Sequence, residues 1–314
     1  MEYKTALVTG GAGFIGSHIV EELLKDGLRV VVYDNFSMGK EENLPKSNRL
    51  KIVKGDILDL NKLNDAMKGI DIVFHEAAKV TIRNSVSNFL EDAETNILGT
   101  LNVIKCIVNN KVKKMVYASS MAVYGEKNSP LEETDVPNPM SPYGISKHAS
   151  ERYCMNASKD FGFECICLRY FNTYGQRQTL TPYVGVITIF INKILNKESP
   201  IIFGDGNQVR DFIYVKDVVQ ANLLAMNKSV NGEVFNIGTG KGTTVNEIAD
   251  ILRNKINPGI EIKYEPARLE ELKYSVADIS KAKKMLGFEP KGFIEEKIDD
   301  VIEYNKMTYR AGKI

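Results

Sequence analysis

The sequence predicts an α/β fold, a doubly wound parallel sheet with a smaller C-terminal α/β lobe, and three observations carry that prediction. Short apolar, β-branched runs alternate with stretches of helical period through the first two-thirds of the 314 residues. A glycine-rich turn, Gly10-Gly11-Ala12-Gly13-Phe14-Ile15-Gly16, lies between the first such run and the first helix. An acidic residue, Asp34, follows the second run.

Strands are expected at Thr5–Thr9, Arg29–Tyr33, Lys51–Val53, Ile70–His75, Met115–Ala118 and Glu164–Arg169. Helices are expected between them at Phe14–Asp26, Leu60–Met67, Asn88–Asn109 and Pro142–Phe161. Continuous apolar strands separated by helices argue for a parallel sheet covered on both faces, with right-handed crossovers. Residues 1–170 are therefore expected to form a Rossmann-like unit, with parts of 211–240 returning to it, and residues 171–314 mainly a second lobe. In that lobe helices are expected at Val184–Asn196, Lys216–Met226, Thr244–Lys255, Ser280–Leu286 and Phe293–Met307. Extended runs are expected at Pro200–Phe203, Arg210–Val215 and Glu261–Tyr264. A cleft between the two lobes is the default ligand site.

Composition excludes several classes of function. With 41 Lys+Arg against 40 Asp+Glu the formal charge is +1, which gives no reason to expect nucleic acid or an anionic membrane as partner. No apolar run approaches the roughly 18 residues of a membrane span, and Met1–Val8 lacks the pattern of a signal peptide. A cytoplasmic location is expected. Cys106, Cys154, Cys165 and Cys167 have no zinc-ribbon spacing, and Cys165 and Cys167 share one face of a strand, as buried free thiols would. His18, His75 and His148 are scattered, so no metal is expected.

The glycine turn fits the GxGxxG and GxxGxxG spacings, which let backbone N–H groups approach a pyrophosphate at the positive end of a helix. Such strings also occur where no nucleotide binds; here the preceding strand and following helix supply the context. A carboxylate at Asp34 accepts from the hydroxyls of adenosine ribose and repels a 2′-phosphate, which favours NAD over NADP. Asp56 ends the third strand, where it either meets the adenine or serves as a turn residue.

Ser141-Pro142-Tyr143-Gly144-Ile145-Ser146-Lys147 pairs a serine N-cap with proline at the first helical position. Tyr143 and Lys147, four apart, lie on one helix face. A phenol is a poor base at neutral pH, but a lysine ammonium and a positive nicotinamide ring both favour phenolate. Tyr143 is then able to take a sugar hydroxyl proton while the adjacent C–H gives hydride to NAD, with Lys147 holding the nicotinamide ribose. Ser119 and Ser120 end the fifth strand, and Ser120 is placed to share that proton with Tyr143.

Together these motifs resemble the extended short-chain dehydrogenase/reductase family, and within it the nucleotide-sugar 4-epimerases. The resemblance runs through Thr9–His18, Asp34–Gly39, Phe74–Ala78, Asn96, Ser119–Gly125, Tyr143–Lys147, Leu168–Gly175, Arg210–Val215 and Pro266–Asp278. It implies NAD contacts at Gly10, Gly13, Phe14, Ile15, Gly16, Asp34, Asn35, Phe36, Ser37, Gly39, Asp56, Ile57, Ala77, Ala78, Asn96, Ser119, Tyr143, Lys147 and Phe171. It implies that Asn172, Phe203, Arg210 and Arg268 hold the nucleotide diphosphate of a UDP-sugar, two arginines clamping the pyrophosphate as multi-donor forks. It also implies a homodimer built on Asn88–Asn109 and Pro142–Phe161.

The activity so implied is an NAD-dependent UDP-hexose 4-epimerase working through a transient 4-keto sugar, an isomerase by net reaction. Met121 and Ala122 stand where dehydratases of the family carry an acidic pair, so dehydration is disfavoured. Ser275 matches the gate beside C2 of the sugar, and its small side chain leaves room for an N-acetyl group. Glu270 replaces the usual glycine near Arg268, and Val80 replaces a lysine or small polar residue behind the sugar. A UDP-glucuronate 4-epimerase is the alternative, with Arg177 or Arg83 as partner for the carboxylate; a nucleotide-sugar ketoreductase is another.

Overall fold

The structure is a computed structural model that describes residues 3–80, 82–181, 185–267 and 272–310; for 82–84 and 310 it describes the backbone alone. Among the described residues thirteen strands run in the order β1 Thr5–Thr9, β2 Arg29–Asp34, β3 Leu50–Lys54, β4 Ile72–His75, β5 Lys114–Ser120, β6 Glu164–Tyr170, β7 Asn172–Tyr174, β8 Ile201–Phe203, β9 Val209–Tyr214, β10 Glu233–Ile237, β11 Gly242–Thr244, β12 Lys263–Glu265 and β13 Tyr274–Ser275. The helices are α1 Phe14–Lys25, α2 Leu60–Ala66, α3 Ile82–Ser87, α4 Phe89–Ala93, α5 Gly99–Asn110, α6 Pro142–Phe161, α7 Val186–Leu195, α8 Val215–Asn227, α9 Val245–Ile256, α10 Ser280–Leu286 and α11 Ile294–Arg310.

Seven strands form the main sheet in the order β10-β6-β5-β4-β1-β2-β3, every pair parallel. This is the doubly wound arrangement, with its switch point between β1 and β4. Period-2 alternation sends Val8, Val32, Phe74, Val116 and Leu168 into the core on one face. Leu7, Tyr33, Val73, Tyr117, Cys165 and Cys167 enter the core on the other. Both faces are thus dry, which is why the strands carry continuous apolar runs. The four cysteines are buried and free.

A smaller sheet, β11-β9-β13 with β7 beside β9, and the pair β12-β8 make up the C-terminal α/β region. β9 joins the two cores: Ile213 enters that of the main sheet, while Phe212 and Tyr214 pack among α7, α9 and α11. No helix among the described residues is long and apolar enough to cross a membrane.

Two expected elements differ. The stretch Asn88–Asn109 is not one regular helix: a π turn, Glu94–Leu98, separates α4 from α5. Its cause is polar. The Asn96 carbonyl accepts from the Thr100 and Ser150 hydroxyls at 2.6 Å each, and the Asn96 amide donates to Asp92 Oδ2 at 2.9 Å. The expected strand at Glu261–Tyr264 forms instead at Lys263–Glu265, because parallel pairing with β8 sets its register and Gly204 N–H donates to the Glu265 carbonyl.

Candidate active site

Strand β1 delivers the chain into the glycine turn at the switch point. Gly10 adopts φ +65°, and a Cβ there would sit 2.8 Å from the Ala77 nitrogen. At Gly16 a Cβ would lie 2.3 Å from the Gly10 carbonyl oxygen, so the turn closes onto α1 only without one. Gly13 caps α1 and offers no side-chain acceptor, leaving the first-turn N–H groups facing outward as an anion cradle.

Asp34 is buried beside this turn. Its Oδ2 accepts from Ala12 N–H at 2.9 Å and its Oδ1 from Phe36 N–H at 2.8 Å. Asn35 donates to Asp56 Oδ2 at 2.9 Å and accepts from Ser37 N–H at 2.9 Å, tying the loop to the end of β3. Gly39 packs against Ala12 and Asp34, where a Cβ would lie 2.9 Å from Asp34 Oδ2. The glycine cradle, the open helix start and the buried carboxylate together fit a dinucleotide.

A cavity of about 1100 Å³ opens along the carboxyl edge of the sheet. Of the expected residues, Phe14, Ile15, Ala78, Ser119, Ser120, Tyr143, Lys147, Phe171, Asn172, Phe203 and Arg210 line it. Ser141 Oγ accepts from Gly144 N–H at 3.1 Å and starts α6 beneath Pro142, which presents Tyr143 and Lys147 to the cavity. Ser120 Oγ accepts from Ala122 N–H at 3.2 Å, and Ser120 and Tyr143 line the same cavity. Lys147 Nζ donates to the Ala118 carbonyl at 2.6 Å and lies 4.8 Å from the Tyr117 ring centroid.

The expectation that lysine makes this phenol acidic is not met by the protein's own groups. Burial pushes Tyr143 well above the ordinary tyrosine value, and Ser120 is the group that opposes it. Burial also lowers Lys147 to about 8, with Glu76 the foremost charge holding it up. Glu76 itself is pushed up to about 7 by burial, against a hydrogen bond from Tyr170.

Other expected residues stand outside the cavity wall. Asn96 spends its amide on the protein: Oδ1 accepts from Lys79 N–H at 2.9 Å, and Nδ2 donates to the Lys79 carbonyl at 3.1 Å. Ile57 is a core side chain, packed where a Cβ on Gly99 would strike it. Ala77 donates its N–H to Thr9 Oγ1 at 3.2 Å and packs behind Gly10. Ser275 is 0% exposed, and its hydroxyl has no partner among the described residues. Arg177 does not serve the cavity: at φ +66° it turns outward to Glu21, which it meets at 2.7 Å. Arg268 and Glu270 lie outside the described residues, as does the Arg83 side chain. No group of three His, Cys, Asp or Glu suited to a metal occurs among the described residues.

Sequence reading passed over Glu76. Its signal was a carboxylate directly after the strand Ile72–His75, at the sheet's ligand-binding edge.

Fold and site define an NAD-dependent enzyme of the extended dehydrogenase/reductase type. Residues 6–238 match the model of the NAD dependent epimerase/dehydratase family. A protein of Methanocaldococcus jannaschii is 44% identical over 311 residues, spanning 97% of this chain and 99% of its own. The Thermotoga maritima UDP-glucose 4-epimerase, solved with UDP-glucose, superposes with a TM-score of 0.93 at 42% identity, covering 97% of this chain and 99% of that one. The UDP-N-acetylglucosamine 4-epimerase of Methanobrevibacter ruminantium, solved with UDP-N-acetylmuramic acid, gives a TM-score of 0.93 at 40% identity, covering 98% and 100%. The chain belongs to the NAD dependent epimerase/dehydratase family, as a nucleotide-sugar epimerase of the group that includes UDP-glucose 4-epimerase.

Proposed function

We propose that this protein is a UDP-hexose 4-epimerase that interconverts UDP-glucose with UDP-galactose, and UDP-GlcNAc with UDP-GalNAc. One observation carries the reading: a serine–tyrosine pair, Ser120 and Tyr143, stands in the same cavity as Arg210 and Phe203. NAD, held by the Gly10–Gly16 turn, Asp34 and Lys147, would supply a reversible hydride acceptor. Tyr143, as the phenolate that the positive nicotinamide ring and the Ser120 hydroxyl favour, takes the proton of the sugar 4-hydroxyl at its phenol oxygen and is neutralised as hydride leaves C4. Arg210 and Asn172 bind the diphosphate, with Arg268 as the second fork, so the sugar turns while its nucleotide stays clamped. Met121 and Ala122, directly after Ser120, have no acid or base with which to eliminate water.

The N-acetylated substrates follow from Ser275, whose side chain is small where a bulky one would crowd C2. The likeness to the M. ruminantium UDP-N-acetylglucosamine 4-epimerase supports this. In this reading residues 1–170, with β10 returning to the sheet, hold the dinucleotide, and 171–314 mainly hold the UDP-sugar. Two copies associate through α4 to α6, where Leu90, Leu98, Ile145 and Tyr153 are about half or more exposed at 69%, 52%, 53% and 49%.

The test is a panel of UDP-sugars with products followed by NMR and no cofactor added. Interconversion at C4 of both plain and N-acetylated hexoses, with NAD recovered from the denatured protein, is the expected result. Net consumption of added NADH would make the protein a ketoreductase instead. Light scattering of Ile145→Glu against the parent tests the dimer, which should dissociate.

A further inference from the structure

Arg210 is followed by a buried carboxylate. Asp211 lies within β9 and is 0% exposed. Oδ1 accepts from Thr239 N–H at 2.8 Å and from the Thr239 hydroxyl at 2.6 Å. Oδ2 accepts from Gly240 N–H at 2.9 Å and from Ala277 N–H at 3.2 Å. All four donors are neutral. A carboxylate is tolerated in such a place only where donors of this kind replace its water. Asparagine has nearly the same size but cannot take over: its one oxygen serves one pair of donors, and its amide then points N–H groups at the other pair.

The donors come from two parts of the chain. Thr239 and Gly240 belong to the turn between β10 and β11, and Ala277 follows the end of β13 by two residues. The fit is close, since a Cβ on Gly238 would lie 2.6 Å from Asp211 Oδ2 and Gly240 takes φ +76°. One carboxylate therefore fastens the chain beside both strands that flank β9. Those strands frame Arg210: β11 brings Thr243 opposite it and β13 brings Ser275. Successive strand residues face opposite sides, so Asp211 is tied down behind the sheet while Arg210 lines the cavity. The Asp211 main-chain carbonyl also accepts from the Asn172 amide at 3.2 Å, so the second residue read as a diphosphate ligand rests on the same point.

We propose that Asp211 is a positioning residue for nucleotide binding: by tying both flanking segments to β9 it holds Arg210 where a diphosphate meets it before the ligand arrives. The proposal rests on the reading of Arg210 as a diphosphate ligand. A long side chain gives up rotational freedom when it binds, and a strand held on both sides leaves less freedom to lose. The effect falls on affinity, because Ser120 and Tyr143 stand on β5 and α6, outside the small sheet that Asp211 fastens.

The test is calorimetry of UDP with the NAD-loaded, full-length protein. Asp211→Asn is expected to weaken UDP binding by about tenfold or more, and to raise KM for UDP-glucose in step while kcat per folded enzyme stays within about twofold. In an Arg210→Met background the same substitution should change UDP affinity by less than about twofold, because the side chain it positions is gone. A merely structural carboxylate would lower stability and leave the affinity of the folded protein unchanged, or act equally in both backgrounds; either result overturns the proposal. Should Asp211→Asn not fold, Thr239→Val decides. It removes one of the four donors, so UDP should bind about threefold more weakly, and an unchanged affinity overturns the proposal there too. A parent that binds no UDP sinks the reading of Arg210 and this role with it, whereas a parent that binds UDP no better than its Asp211 variant sinks this role alone.

Discussion

Ser119 Oγ donates to Glu151 Oε2 at 2.8 Å, one residue before Ser120, which lines the cavity with Tyr143. Arg169 grips the same carboxylate, Nε to Oε2 at 3.0 Å and Nη2 to Oε1 at 2.6 Å, and reaches the Tyr124 hydroxyl at 2.7 Å. The segment from Ser119 to Tyr124 is thus pinned at both ends by one buried ion pair.

Glu151→Gln leaves the Arg169 charge buried without its partner. Removing one member of a buried pair typically costs about 3–5 kcal/mol, and the segment that carries Ser120 loosens with it. Denaturant melts should show that loss of stability, and kcat should fall further than the loss of folded protein explains. A variant as stable as the parent would mean that the pair does not anchor this edge.

Tyr143→Phe removes the phenol oxygen and keeps the ring, which is buried beside Ser120. Loss of a positioned acid–base group costs roughly 10²–10⁴ in rate. The variant should therefore retain NAD and fold normally while kcat drops by that factor. Ser120→Ala should act in the same direction and less, because it opposes the effect of burial on the phenol without being the proton acceptor.

Local signals made half of this site legible. The glycine turn announces itself because Gly10 and Gly16 have no room for a Cβ, and α6 runs over the expected Pro142–Phe161 because Ser141 caps it and Gly162 ends it at φ +75°. What was not legible depends on partners distant in sequence. The π turn at Asn96 is set by Ser150, 54 residues away, and the anchoring of Glu76 by Tyr170, 94 residues away. Strands of two or three residues such as β7, β11 and β13 exist only through pairing with β9 and leave no periodicity to read. Arg177 was a candidate for the cavity until its backbone conformation turned it toward Glu21.

Two buried histidines make the fold sensitive to acid. His75 is locked between Thr9 Oγ1 at 2.7 Å and Thr100 Oγ1 at 3.0 Å, and burial lowers it to about 3. Burial and the Arg177 charge lower His18 to about 4. Both are depressed, so the unfolded chain binds more protons than the folded one below about pH 6.5. Stability is full above that pH and falls as pH drops toward 4, each site contributing at most about 1.4 kcal/mol per pH unit. Replacing His75 by Gln should flatten this part of a melting-temperature profile. A profile of unchanged slope would assign the acid sensitivity to other groups.

Ser275 is the residue we propose as the gate for N-acetylated sugars. Its side chain is fully buried on β13, in register with Arg210 of β9. If Ser275 is that gate, Ser275→Tyr crowds out the N-acetyl group, so turnover of UDP-GlcNAc should fall at least about tenfold more than that of UDP-glucose. Because the site is buried, the ring also strains the lobe, by about 1–3 kcal/mol if it cannot reach the cavity. Ser275→Ala separates the two effects. It removes a buried hydroxyl that has no partner among the described residues, so stability should hold or rise slightly and both sugars should turn over as in the parent. Equal loss of the two sugars in Ser275→Tyr, with the alanine variant normal, would remove Ser275 as the gate.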